Sequence, residues 1–312
     1  MEIFLKTILG LMTSLFGYIF AGDVLKNRKL ISGKPWSVLL GIGFITNFFD
    51  TLGIGSFAPL TAIFKFLKLV DDRLIPGTLN VGNTIPTVVQ AFLFMTIVEV
   101  DPVTLFSMSA AAPFGALLGS GRVARMPRRT IQLGLGFGLM IVALLIIAGF
   151  LELMPAGGEA IGLSGWKLVL IVFISFILGA LQTIGIGFYA PCMAMVYLFG
   201  LHPQTAFPIM MTATAMLMVA GGARFIKENA YDRKIAASLT TGGVLGVLLA
   251  AFVFKSLPLV VLKGIVCIVV MYTSVWMFIS SARRGTETIQ LNDKFDVKAL
   301  WDSCPTNVSE KK

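Results

Sequence analysis

Two short stretches of the sequence combine a polar pair with closely spaced glycines and a proline. They read DTLGIGSFAP from Asp50 to Pro59 and QTIGIGFYAP from Gln182 to Pro191. Glycine tolerates a positive φ and a close approach to the backbone, whereas proline fits the first turn of a helix. Each stretch therefore predicts a break in the chain followed by the start of a new helix. That start offers free N–H groups and the positive end of a helix dipole, which suit a small anion.

The polar and small residues at the two breaks are the first candidates for contact with an anion. Backbone N–H groups can approach a ligand at the glycines, and neighbouring hydroxyl and amide side chains can donate further hydrogen bonds. Glycine and proline in helices also mark plain kinks, so one break alone would carry little weight. The candidates at the breaks are Thr51, Gly53, Gly55, Ser56, Gln182, Thr183, Gly185, Gly187 and Tyr189.

The composition places these stretches in a membrane protein. Of the 312 residues, 56% are hydrophobic and 13% are charged, which is about half the charged share of an average soluble domain. The formal charge of +9 comes from basic residues in short loops between apolar runs. The positive-inside rule explains this distribution without a nucleic-acid partner. The predicted fold class is therefore an all-α polytopic membrane protein.

Seven apolar segments have the length of a membrane span, about 20 residues. Two further segments, 36–69 and 166–200, are longer than one span needs, and each contains one of the glycine breaks. Residues 285–312 are polar and predict a soluble, mobile tail. Residues 3–21 are expected to be a retained span rather than a cleaved signal peptide. The seven spans are 3–21, 74–98, 103–121, 131–150, 205–223, 235–253 and 259–280.

The two long segments are copies of each other. Residues 51–76 align with residues 183–208 without a gap, and nine of these 26 positions are identical. Further along the chain, Gly115 matches Gly246. The predicted organisation is an additional N-terminal span with a basic loop at 1–35, a first repeat at 36–151, a second repeat at 166–281, and the tail at 285–312.

The basic residues predict how the broken segments run. If each is a re-entrant hairpin that returns to its starting side, three spans remain per repeat and the second repeat is inverted. The lysine- and arginine-rich loops at 26–34, 122–129 and 224–234 then all lie on the cytoplasmic side. Full crossings would put the four arginines of 122–129 outside. The pattern favours an inverted-topology repeat whose two hairpins meet near the midplane, as in many transporters.

Asp50 is the one acidic residue in the two stretches. An acid deep in a membrane is costly and is by default functional. Asp50 could take up a proton in each transport cycle, or it could be a fixed acceptor that caps the outgoing helix. Its counterpart Gln182 does not titrate, so any proton coupling would use only one half of the site.

Further polar side chains follow each hairpin at helical spacing. They could complete the hydrogen bonds to an anion, or they could join neighbouring helices at about 1 kcal/mol per bond. Tyr189 could likewise reach the site or pack as an ordinary aromatic residue. Lys65 and Lys68 could draw anions to the cytoplasmic mouth, although contact with lipid headgroups is the simpler expectation. The residues after the hairpins are Asn80, Asn83, Thr84, Gln90, Thr212 and Thr214.

The paired motifs resemble those of the TauE/SafE family of membrane transporters. The resemblance rests on GIGSFAPL at 53–60 and GIGFYAPC at 185–192, each followed by a hydroxyl-rich helix, and it covers most of residues 36–280. The sequence departs from the family at Ser56-Phe57 and Phe188-Tyr189, where members often continue the glycine run. The resemblance implies transport of sulfite, sulfonates and related organosulfur anions.

Together these features predict a secondary transporter, more specifically an exporter, of small sulfur-containing anions such as sulfite, thiosulfate or sulfonates. Binding between two half-helix N-termini, alternating access and optional proton coupling are the expected mechanism. An anion channel of the same architecture is the alternative. An intramembrane serine hydrolase would need Ser56 to pair with His202, but the predicted topology separates them, so no enzyme is expected.

The expected surroundings of the protein follow from the same features. The three cysteines lack a CxxC spacing and His202 is the only histidine, so neither a cofactor nor a metal site is expected. The expected partners are the anion and the lipid bilayer, and a homodimer is left open. The expected location is the plasma membrane, specifically the bacterial inner membrane, with a cytoplasmic C-terminus.

Overall fold

The computed structural model describes residues 2–27, 35–153 and 158–253, together with six positions between 271 and 279. These residues form ten α-helices, a short 3₁₀ helix at Pro203–Thr205 and one isolated β-bridge. The all-α prediction agrees with this part of the chain, whereas the predicted tail and most of the predicted span 259–280 lie outside it. The helices are α1 (Glu2–Lys26), α2 (Trp36–Thr51), α3 (Phe57–Phe66), α4 (Ile75–Ile97), α5 (Pro102–Val123), α6 (Arg128–Phe150), α7 (Gly165–Gln182), α8 (Tyr189–Leu198), α9 (Ala206–Lys227) and α10 (Arg233–Val253).

Six helices are long and apolar enough to cross a membrane, namely α1, α5, α6, α7, α10 and α9 with the turn before it. Five of them coincide with predicted spans, and α7 is the incoming half of the second long segment. Their outward faces carry large apolar side chains such as Phe114, Phe173 and Leu245, as contact with lipid requires. The predicted span 74–98 is the helix α4, but α4 is not among the six. Its buried asparagines and Gln90 make it less apolar, and it packs inside the protein.

Glycines bring four helices together in two matching pairs. α2 packs against α10, and α5 packs against α7. A Cβ atom on Gly115 would lie 1.9 Å from the carbonyl oxygen of Phe176, and one on Gly246 would lie 2.2 Å from that of Phe44. Small residues let membrane helices approach this closely. The two pairs exchange partners in the way that a twofold relation between the predicted repeats would require.

Ion pairs gather the basic loops on one side, which we call the basic face. The Arg125 guanidinium donates two hydrogen bonds, of 2.9 and 3.2 Å, to the Glu228 carboxylate. This contact joins the loop after α5 to the loop after α9. Arg233 pairs with Asp23 at 2.7 Å and joins the start of α10 to the end of α1. The loops 122–129 and 224–234 therefore lie on one side of the protein, as the charge pattern predicts.

Backbone contacts define the opposite side, which we call the acidic face. The N–H of Gly158 donates to the carbonyl of Leu201 at 3.0 Å, and the N–H of His202 donates to that of Ala160 at 2.8 Å. The chain just before α7 thus lies beside the chain just after α8. The N–H of Asp101 donates to the carbonyl of Ile161 at 2.9 Å. Since α5 starts at Asp101 and ends on the basic face, the acidic face lies at the other end of the spanning helices.

The first broken segment has both of its ends on the basic face. At the start of α2, the Lys234 ammonium lies 5.5 Å from the centre of the Trp36 ring. At the end of α3, Lys65 pairs with Asp72 at 2.7 Å, and Asp72 also pairs with Arg128 of α6 at 3.1 Å. The ends of the first broken segment thus contact residues of the basic face, and the chain that flanks the second broken segment makes the backbone contacts of the acidic face.

Candidate functional site

The glycine motifs interrupt both long segments where the sequence predicts it. Residues 52–56 separate α2 from α3, and residues 183–188 separate α7 from α8. Gly53 and Gly55 both have a φ of 86°, and Gly185 has a φ of 107°. Gly187 is not among the positive-φ glycines, so the two breaks differ in backbone conformation at that position. At 16 and 10 residues, α2 and α3 are about 24 and 15 Å long, too short for a ~30 Å hydrocarbon core.

The two breaks meet inside the protein. The hydroxyl of Tyr189, the first residue of α8, donates to Oε1 of Gln90 at 2.9 Å and lies 3.4 Å from Oδ2 of Asp50. A Cβ atom on Gly187 would lie 3.9 Å from that of Phe57 at the start of α3. Between the breaks lies a cavity of about 30 Å³. That volume holds roughly two water molecules.

Asp50 holds the first break closed. One carboxylate oxygen accepts the backbone N–H of Ser56, and the other accepts the Gln90 amide at 2.8 Å. The same amide nitrogen lies 3.0 Å from Oγ1 of Thr51. Asp50 therefore accepts hydrogen bonds through both carboxylate oxygens, and both of its expected roles stay open. It bonds the residue that precedes α3 rather than an N–H inside the first turn, and it also faces the cavity.

The second half of the cavity lacks these partners. Oε1 of Gln182 and Oγ1 of Thr214 are buried, with residue exposures of 1% and 3%, and neither has a hydrogen-bond partner among the described residues. The cause lies in the aligned positions, because Phe57 stands where the second half has Tyr189 and offers no hydroxyl. A buried polar group without a partner costs about 1–3 kcal/mol, so these two side chains call for a ligand or water.

Both outgoing helices begin with unpaired N–H groups beside the cavity. Within α3 the first N–H to donate along the helix is that of Leu60, and within α8 it is that of Cys192. Pro59 and Pro191 have no N–H, which leaves two free groups in each first turn. No acceptor among the described residues bonds these groups, and all four residues line the cavity. The groups belong to Phe57, Ala58, Tyr189 and Ala190.

The cavity gathers part of the predicted set. The predicted residues that line it are Asp50, Gly55, Ser56, Gln182, Gly187 and Tyr189. Thr51 at the end of α2, and Gly53, Thr183 and Gly185 in the breaks, do not line it.

Of the six polar residues that follow the hairpins, only Thr214 lines the cavity, and the other five, which include Asn80, Asn83 and Thr212, do not. Asn83 accepts a hydrogen bond of 2.9 Å from Asn47 of α2, and Asn80 donates one of 2.8 Å to the carbonyl of Pro76. Thr212 is buried with its hydroxyl unpaired among the described residues. Asn83 thus makes an interhelical bond, which was the alternative to anion contact, whereas the bond of Asn80 lies within α4.

Thr87 lines the cavity although it was absent from the predicted set. It lies one helical turn after Asn83 and just before Gln90, so the spacing of polar residues along α4 could have indicated it. Thr214, named with the residues after the second hairpin, lines the cavity as well.

Lys65 corrects an expectation at the mouth on the basic face. Instead of reaching lipid headgroups, its ammonium donates to the buried carboxylate of Asp72, which Arg128 and Gln132 also contact. Burial alone would raise the pKa of Asp72, but hydrogen bonds from Lys65 and Gln132 and the two positive charges hold it below the usual value. The network joins the C-terminal end of α3 to the start of α6, so it stabilises the first broken segment on the basic face.

Ser56 and His202 show no hydrogen bond to each other in the described part of the chain. His202 lies on the acidic face, where its Nδ1 accepts the N–H of Gln204 at 3.3 Å. Ser56 lies at the break of the segment that starts from the basic face. The pair that a serine hydrolase would need is not assembled.

Ten packed helices, six of them able to span a membrane, and a buried polar cavity between two broken segments define a multi-pass membrane protein with the features of a transporter. A family model described as Sulfite exporter TauE/SafE matches residues 167–303. This stretch of the chain is therefore similar to the TauE/SafE family, which agrees with the resemblance of its motif. The match does not extend over residues 36–166. No curated protein and no solved structure matches the chain.

Proposed function

We propose that this protein is a secondary transporter that exports small sulfur-containing anions, such as sulfite, thiosulfate or sulfonates, through the cavity between the two breaks. The observation that carries the proposal is the pair of buried, unpartnered side chains, Gln182 and Thr214, beside four unpaired N–H groups. All of them can donate to an oxyanion once the Gln182 amide turns its NH₂ group inward. The TauE/SafE match of the second half supports the same class of substrate.

The proposed architecture is an inverted repeat with two re-entrant hairpins. The contacts that keep both ends of α2–α3 on the basic face, and both ends of α7–α8 on the acidic face, support this proposal. The matching α2–α10 and α5–α7 pairs support a twofold relation between 36–151 and 166–281. Two helix N-termini that converge from opposite sides near the midplane are a known way to build an anion site in a transporter.

Alternating access is the proposed mechanism of movement. An oxyanion with three or four oxygen atoms needs more room than the two water molecules that the cavity holds, so loading requires the two breaks to move apart. The hydrogen bond from Tyr189 to Gln90 joins the second break to α4 and must then be remade in each cycle.

The basic face is proposed to be cytoplasmic, in a bacterial inner membrane. We expect Arg129→Cys and Lys227→Cys, each in a background without the three native cysteines, to be protected from an impermeant thiol reagent added to intact cells, since positive loops stay inside. Glu159→Cys on the acidic face is the matched control, and it should be labelled. Labelling of either basic-face cysteine from outside would overturn this orientation. Labelling of only one would also show that the loops 122–129 and 224–234 lie on different sides of the membrane. The cytoplasmic C-terminus and the homodimer stay predictions.

The substitution Thr214→Val tests the anion site by separating affinity from stability. It removes a hydroxyl that has no partner, so we expect thermal stability without ligand to stay the same or to rise. A bound ligand raises the stability of the folded state by mass action, so a thermal-shift screen of purified protein against sulfite, thiosulfate, sulfonates and carboxylates reports binding. For the anion that binds best, we expect Thr214→Val to need about tenfold more ligand than the wild type for the same rise in melting temperature, because one hydrogen bond to the anion is lost.

Thr61→Val is the matched control for this substitution. Thr61 is buried in α3, but its hydroxyl donates to the carbonyl of Phe57 at 2.8 Å, and the residue does not line the cavity. Its variant should keep the wild-type affinity and lose a little stability. If Thr214→Val and Thr61→Val bind the anion equally well, the cavity is not the anion site.

A further inference from the structure

The charges around the cavity restrict the valence of the anion that it can accept. Of the described residues that line the cavity, Asp50 carries the only formal charge, and no lysine, arginine or histidine is among them. The described ion-paired lysine and arginine side chains belong to the basic face, for example Lys65, Arg125 and Arg233. The cavity therefore meets an anion with neutral donors and one carboxylate.

The donors of the cavity are sufficient for one negative charge. They are the four unpaired N–H groups, the Thr214 hydroxyl and the Gln182 amide, and both side chains are more than nine-tenths buried. Neutral donors of this kind can bind an anion, but the cavity has no cation that would offset the repulsion between the Asp50 carboxylate and a second negative charge on the ligand. No such group faces the anion from α2, α3, α4, α7, α8 or α9 among the residues that line the cavity.

The remaining lining of the cavity is apolar. Ile54 and Ala58 of the first half and Phe188 and Ala190 of the second half contribute it. Apolar side chains cannot replace the hydrogen bonds from water that a dianion loses when it enters the site. They can contact a small alkyl group or a sulfur atom.

We propose that the site prefers singly charged oxyanions, with sulfonates as the best-matched class, over doubly charged ones such as sulfate and thiosulfate. This inference rests on the proposed transport function and narrows its substrate class. Asp50 is its specificity-determining residue, because a second negative charge on the ligand adds to the repulsion by the carboxylate. At an effective dielectric constant of about 20, that repulsion across a few ångströms weakens binding by more than about tenfold.

The test compares ligands that differ in charge but share the tetrahedral sulfur. Methanesulfonate and methyl sulfate carry one charge, and sulfate carries two. Their affinities for the purified full chain are measured by thermal shift at constant ionic strength and at mildly alkaline pH. We expect both singly charged anions to bind at least about tenfold more tightly than sulfate, and Asp50→Asn to narrow this ratio by about tenfold.

The possible outcomes separate the inference from the proposed function. Equal affinity of the wild-type protein for methyl sulfate and sulfate would overturn the inference, while anion binding itself would stand. If the ratio of the affinities for methyl sulfate and sulfate is the same in Asp50→Asn as in the wild type, Asp50 does not determine the preference for singly charged anions. Absence of binding for all three anions, for sulfite and for thiosulfate would overturn the proposed function itself. The wild-type ratio does not depend on whether the variant folds.

Discussion

In proteoliposomes, Asp50→Asn is expected to bind the anion but to lose transport driven by a pH gradient. Asp50 is the only acid among the described residues that line the cavity, so it is the group placed to carry a proton with the anion. Asparagine keeps the size and one acceptor oxygen, so Ser56 can still donate to it. The Gln90 amide can turn over and accept from the new NH₂ group. Binding should therefore stay within about tenfold of the wild type, because at most one hydrogen bond is lost.

The matched control for this substitution is Asp71→Asn. Asp71 pairs with Arg128 on the basic face, its side chain is half exposed, and it does not line the cavity. Its variant should keep flux driven by a pH gradient. Unchanged flux at every pH in Asp50→Asn would rule out proton carriage by this residue and leave it the fixed acceptor of the first break. If Asp50→Asn binds the anion more tightly and its pH-driven flux is unchanged, the only role of the Asp50 carboxylate at the site is to repel the anion.

Gly55→Ala is expected to abolish transport while the protein still inserts and folds. Gly55 has a φ of 86°, which an alanine adopts only with strain of about 1–3 kcal/mol. The nearest atom to a Cβ there is 4.0 Å away, so the effect would come from backbone conformation rather than from a clash. Relief of the strain turns the first break and moves the Ser56 N–H away from Asp50. Anion flux and thermal stability of the purified variant measure the two effects separately.

Gly165→Ala is the control that matches Gly55→Ala in strain and in free space. Gly165 has a φ of 60° and no atom within 4 Å of a Cβ, but it lies at the start of α7 on the acidic face. Transport by this variant should stay near the wild-type level. If Gly55→Ala and Gly165→Ala transport equally well, the conformation of the first break does not matter for function.

The breaks could be predicted from the sequence because their causes are local. The glycines that allow positive φ and the prolines at the starts of α3 and α8 lie within ten residues of each other. α2 ends at Thr51 and α7 ends at Gln182, within the motifs themselves. The spans could likewise be predicted from runs of apolar residues, because length and hydropathy are properties of each segment alone.

The long-range partners of the polar side chains could not be predicted, because they lie in distant parts of the chain. Asp50 is satisfied by Gln90 and Tyr189, which lie 40 and 139 positions away. Lys65 pairs with a carboxylate that Arg128, on another helix, also contacts, so its burial was not visible in the pattern. Asp50 and Gln182 stand at the same position of the aligned motifs. Both carboxylate oxygens of Asp50 accept hydrogen bonds, whereas Oε1 of Gln182 has no partner among the described residues.

The backbone conformation of the second break could not be predicted from the sequence either. Gly187 matches Gly55 in the alignment, but only Gly55 has a positive φ. Tyr189 and Phe57 stand at the same aligned position, and the tyrosine hydroxyl is what ties the second break to α4. Differences of this kind depend on which groups face each break across the protein.

Anion flux through the double variant Gln182→Leu with Thr214→Val is the most direct test of the proposed transport site. The full chain and this variant are reconstituted in liposomes, and the efflux of radiolabelled sulfite and of a labelled sulfonate is followed under a pH gradient. The account predicts a saturable flux by the wild-type protein well above that of empty liposomes, and a flux at the empty-liposome level for a variant that remains folded. Wild-type flux no greater than that of empty liposomes, or undiminished flux in the folded double variant, would contradict it.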